Sequence, residues 1–95
     1  MSDARKSGAW SEPKPATQET QDIADKVKKA AEEQVGMVFK VYKAIEYQTQ
    51  VVAGTNFRII IKVTDFPQNA ELVVFRNLED QYSLTSAKLL IMEKP

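Results

Sequence analysis

Gln50-Val51-Val52-Ala53-Gly54 lies mid-chain between two runs that alternate as β-strands do, so it reads as the turn of a long hairpin. Its content is unusual for a turn. Hairpin tips are normally polar and rich in Asn, Asp, Pro or Gly, whereas this one sets Val51, Val52 and Ala53 in a row with a single Gly54 to release the backbone. Apolar side chains where solvent reaches them suggest a docking surface. The competing reading keeps one or both valines in a strand facing the core. Strand parity divides them, because Val51 continues the series that begins at Phe39 and Val52 does not.

Outward from the turn, the preceding run starts near Met37. Phe39, Val41, Ile45, Tyr47, Thr49 and Val51 share one parity, with Lys43 as the exception, which describes a long strand half-buried on one side. The following strand covers residues 56–64, with Phe57, Ile59, Ile61 and Val63 on one face. Residues 65–69 then break the ladder through Asp65, Pro67 and Asn69. A third strand is predicted over 70–76, with Leu72 and Val74 opposite Val73 and Phe75. A polar turn at 77–81 surrounds Leu78, and a last strand over 83–92 is apolar on both faces near its end. Short connections make this an antiparallel meander.

Upstream lies one amphipathic segment. Thr17 is the expected N-cap, Glu19 and Asp22 suit the positive end of the helix dipole, and Gly36 supplies the stop. Ile23, Ala24, Val27, Ala30, Ala31 and Val35 recur at three- and four-residue steps and form the buried face. Residues 1–16 show no helical or strand period and read as an extended arm with a lone Trp10, whose residue type alone suggests a cover for an edge of the core. The fold class is therefore α+β: one N-terminal helix on a twisted antiparallel sheet of four to five strands, a single domain over residues 1–95.

Composition narrows the function. Thirteen basic and thirteen acidic residues cancel, which gives no electrostatic case for nucleic acid or a membrane surface as partner. The chain has no Cys and no His, so it has no thiolate nucleophile and no thiolate metal site, and it lacks the commonest general base and metal ligand. No motif calls for a cofactor, and the three glycines are too dispersed for a phosphate cradle. The first residues carry no apolar h-region, so neither a signal peptide nor a membrane span is expected, and the setting is read as cytoplasmic. A carboxylate enzyme could draw on Glu46, Glu71, Glu79 or Asp80, but nothing in the sequence pairs them across a pocket.

Taken together these residues resemble the cystatin superfamily, and within it the stefins, the type 1 cystatins. Gln50-Val51-Val52-Ala53-Gly54 matches the family's Gln-X-Val-X-Gly motif, and Thr55-Asn56-Phe57 continues it in the stefin form. Pro15-Ala16-Thr17 before the helix, Ile23-Ala24-Asp25-Lys26-Val27 within it and Leu72-Val73-Val74-Phe75 in the later strand agree as well. The resemblance implies a non-enzymatic, reversible, tight-binding inhibitor of papain-like cysteine proteases of the cathepsin type. An N-terminal trunk and two hairpin loops would then block the protease cleft. Mapped onto this chain, the trunk contacts are Gly8, Ala9 and Trp10, the first loop is Gln50, Val51, Val52, Ala53 and Gly54, and the second loop holds Leu78 and Glu79. Stefins usually carry Leu-Pro where this chain has Leu78-Glu79, so an altered second-loop contact is expected. Arg5, Lys6 and Ser7 stand before Gly8, where an apolar residue would suit a hydrophobic subsite. The alternative is a cystatin-fold interaction protein with weak or lost inhibition. The chain is expected to be a monomer, and self-association in the alternative would come from the first hairpin opening and exchanging between copies into a domain-swapped dimer.

Overall fold

Residues 9–64 and 68–91 are described by a computed structural model of the chain. The arm pairs with the sheet through a two-residue strand, β1 (Lys14–Pro15), where the sequence showed no strand period. Two helices follow, α1 (Gln18–Lys26) and α2 (Lys28–Val35), and then four long strands: β2 (Lys43–Val52), β3 (Gly54–Lys62), β4 (Gln68–Arg76) and β5 (Tyr82–Ile91). The sheet is antiparallel throughout, in the order β1-β2-β3-β4-β5.

Thr17 caps α1 as its position predicts, in a reciprocal capping box. Its side chain accepts from the Thr20 N–H, and the Thr20 hydroxyl accepts from the Thr17 N–H at 3.0 Å. Gly36 ends α2 in the left-handed conformation. The expected single helix is broken at Val27. The Ala24 carbonyl, which would accept the Lys28 N–H in an unbroken helix, accepts the Tyr42 hydroxyl at 2.7 Å and the Val27 N–H at 3.2 Å. A side chain inserted into the ladder is a recognised cause of a kink. Burial, followed by the charges of Asp25 and Glu32, holds the Tyr42 phenol well above its usual range, so it stays a donor. Ala30 is exposed to solvent, against its expected place on the buried face, while Ala31 is fully buried.

The run before the hairpin is not strand from Met37, because pairing with β3 begins only at Lys43. Residues 37–42 instead form an irregular entry. It is pinned by Phe39 N–H to the Glu32 carboxylate (2.9 Å) and by Gln21, whose side-chain oxygen accepts from the Ala44 N–H at 2.8 Å. The register then shifts between Ala44 and Glu46, leaving Ile45 as the extra residue of a β-bulge. The bulge accounts for Lys43 as the parity exception. It places Ala44 in the core and leaves Ile45 exposed, contrary to its expected inward series. Strand β4 starts at Gln68, two residues before its expected start, and residues 65–67 of the proposed breaker lie outside the described residues.

Helix Ile23, Ala24, Val27 and Ala31 meet sheet Ile59, Ile61, Leu72 and Val74, all buried, as the alternation in β3 and β4 requires. On β5 a second register shift leaves Thr85 unpaired, so that Leu84, Ala87 and Leu89 line the helix side and Leu90 lies half-buried on the other face. Met92 falls outside the described residues. The helices therefore cover one face of the sheet. In a meander of this order, the β2–β3 and β4–β5 turns emerge together at one end.

Candidate functional site

That shared end is the candidate site. The first turn is tighter than the motif suggests. Gln50, Val51 and Val52 still pair with Asn56, Thr55 and Gly54, so only Ala53 forms the apex. The Asn56 side-chain amide donates to the Gln50 side-chain oxygen at 2.7 Å, which ties the two strands below the tip. Val51 is 63% exposed and Val52 40%, although Val51 keeps the inward parity. The reason is positional: the last residues of β2 run past the helices, and inward there meets solvent.

Gly54 is required by the turn itself. Its φ is +119°, and an added Cβ would stand 2.5 Å from the Arg76 carbonyl oxygen and 2.8 Å from the Phe75 ring. The backbone at Gly54 thus rests directly on the residue that leads into the second turn, a tighter constraint than freedom to meet a partner.

The second turn is built around Asn77. Its side-chain oxygen accepts from the N–H groups of Glu79 (2.8 Å) and Gln81 (2.9 Å), and its backbone N–H donates to the Gln81 carbonyl at 3.0 Å. Such an Asx arrangement fixes a loop without Pro. Asp80 takes positive φ, at 63°, as short polar residues can. Leu78 is held at the tip, 75% exposed, beside exposed Glu79. The organising role of Asn77 was not anticipated from the sequence, although the signal was present in an Asn opening a five-residue polar turn.

The arm reaches the same end. The Ser11 N–H donates to the Thr49 carbonyl (2.8 Å), the Thr49 N–H donates to the Ser11 hydroxyl (3.0 Å), and the Gln48 amide donates to the Ser11 carbonyl (2.9 Å). With Lys14 opposite Tyr47 and Ser11 at Thr49, the arm runs antiparallel to β2 and carries exposed Ala9 toward Val51 and Val52. Trp10 does not cover the core edge. Its ring lies under the Arg58 guanidinium, 4.3 Å from centroid to Cζ, on the sheet face away from the helices. Gly8, Arg5, Lys6 and Ser7 lie outside the described residues.

The carboxylates considered for an enzyme are dispersed. Glu71 sits between Arg58 (3.4 Å) and Lys88 (3.5 Å), Asp80 faces Arg76 at 4.0 Å, and Glu79 stands on the second turn. Among the described residues no three His, Cys, Asp or Glu side chains gather where they could hold a metal ion. No helix among them is long and apolar enough to cross a membrane. A shallow cavity of about 270 Å³ between Lys29, Glu33, Met37 and Val38 lies at the C-terminal end of α2, and no residue of the two turns lines it.

Comparison with known proteins agrees with this architecture. Residues 8–91 match the Cystatin domain. Cystatin-A of Homo sapiens is 45% identical over 74 residues, covering 78% of this chain and 74% of that protein. Cystatin-B of Macaca fuscata fuscata is 48% identical over 71 residues, covering 75% and 71%. Cystatin-A of Felis catus is 45% identical over 76 residues, covering 80% and 76%. The capped helix, the five-stranded antiparallel sheet and these similarities agree: the chain belongs to the cystatin family, on its stefin branch.

Proposed function

We propose that this chain is a reversible, tight-binding inhibitor of papain-like cysteine proteases of the cathepsin type, acting as a monomer that plugs the active-site cleft. The observation that carries the reading is the gathering of exposed apolar side chains at one end of the sheet. Val51, Val52 and Leu78 stand on two turns whose backbones are fixed before any partner arrives. Apolar area offered on a preorganised edge loses little entropy on docking, and area removed from water supplies the affinity. Gly8 and Ala9 would add the trunk contact; Gln50, Ala53, Gly54 and Glu79 complete the two loops. Occlusion asks for no nucleophile or base of its own, so a chain without His or Cys suffices. A cytoplasmic setting suits a fold that uses no disulfide.

Titration of active-site-counted papain tests the reading. Activity should fall in proportion to added protein and vanish near equimolar amounts. Val52→Asp puts an unpaired charge where the cleft wall would be and should weaken inhibition by about a hundredfold or more. Papain activity untouched by excess wild-type protein would overturn the proposal.

A further inference from the structure

The arm's hold on the sheet depends on a side chain that no sequence motif singles out. Arg58 lies on the face away from the helices, opposite Gln48 on one side and Val73 on the other. One guanidinium nitrogen donates to the Gln48 side-chain oxygen (3.2 Å), and the Nε faces the Glu71 carboxylate at 3.4 Å. The other Glu71 oxygen meets Lys88 at 3.5 Å, so a polar row of Gln48, Arg58, Glu71 and Lys88 crosses all four long strands. A guanidinium held at its edge by such acceptors keeps its plane fixed, and its face is left for Trp10. Gln48, the first member of the row, also donates to the Ser11 carbonyl, next to Trp10 in the chain. The contacts close a circuit from Ser11 through Gln48 and Arg58 back to Trp10.

We infer that Arg58 is a positioning residue for the N-terminal arm: by stacking on Trp10 it sets where the chain before Ser11 leaves the sheet, beside Val51 and Val52. Trp10 then serves inhibition through Arg58 rather than by filling a protease pocket. The ion pairs of the row are partly solvated and contribute little to global stability. Loss of Arg58 therefore frees the chain before Ser11 and leaves the fold standing. The consequence for inhibition rests on the function proposed above, whereas the geometry of the arm does not.

Trp10 is the only tryptophan, so its fluorescence reports the arm directly in the full-length chain. In Arg58→Ala the Trp10 emission should shift to longer wavelength, its anisotropy should fall and acrylamide should quench it faster, with far-UV circular dichroism and the urea midpoint unchanged. Arg58→Lys keeps the charge without the planar fork and should behave like Arg58→Ala. Against papain, Arg58→Ala and Trp10→Ala should each weaken inhibition by about threefold to tenfold, and the double variant should be no weaker than either alone. Trp10 emission and quenching indifferent to Arg58→Ala overturn the inference, as does a double variant whose loss is the product of the two single losses. Wild-type protein that fails to inhibit papain removes the inhibitory reading alone, and the fluorescence then decides the role of Arg58.

Discussion

A methyl group at Gly54 would press on the Arg76 carbonyl and the Phe75 ring while the backbone sits at positive φ. Gly54→Ala should therefore cost about 1–3 kcal/mol of stability, read from urea denaturation. Because Arg76 leads into the second turn, the damage should spread, with faster amide exchange at Glu79 and Gln81 in the same variant. Absence of any change at those amides would show that the two turns are independent. At Asn77 the loss is of a different kind. Asn77→Ala removes the acceptor for two N–H groups, which turn to solvent in an exposed loop, so about 1 kcal/mol is expected. The second turn should loosen and inhibition weaken with no change in the first.

Among the elements, the kinked helix has the clearest chemical handle. Tyr42→Phe removes the hydroxyl that occupies the Ala24 carbonyl and should cost about 1 kcal/mol at neutral pH. The wild-type phenol has its pKa raised in the folded state above the ordinary value of 10.0. Between those two values the unfolded chain gives up its proton while the folded chain keeps it, so stability falls as pH rises above about 10. Tyr42→Phe should flatten that alkaline limb in urea midpoints measured from pH 8 upward. An unchanged limb would assign it to other groups. The kink and the bulge at Ile45 also mark where sequence reasoning stopped. Thr17, Gly36 and the alternation in β3 and β4 act through neighbours in the chain, so they were legible. The helix break at Val27, the exposure of Ala30 and the bulge at Ile45 were not legible: Tyr42 and Gln21, which bond at the break and beside the bulge, are brought there by tertiary structure, and no local period encodes them. The first turn was legible as a motif, but the contact of Gly54 with Arg76 and that of Arg58 with Gln48 depend on cross-strand register, whereas the Asn77 turn is local and was overlooked.

On the scale of the whole molecule, stability and the candidate site are carried by different regions. Ile59, Ile61 and Leu72 are fully buried between sheet and helices, and Ile59→Ala should cost about 2–5 kcal/mol globally, with a matching fall in the thermal midpoint. The exposed edge can be changed with little such loss, as Val52→Asp would show by melting near wild type. The arm belongs to neither class. Its strand β1 is two exposed residues, its few backbone bonds lie at the sheet margin, and its anchor is a half-buried ring on an arginine. Segments of that kind open without global unfolding. The Ser11 and Ala16 amides should accordingly exchange with solvent by local opening, orders of magnitude faster than the Ile59 amide, which waits for the whole sheet. A protease cutting within residues 12–15 would then release the arm and leave the two turns in place on an intact sheet. On the proposed inhibitory reading, limited digestion would convert a wedge with three points of contact into a wedge with two, and the potency difference between them would measure what the arm adds.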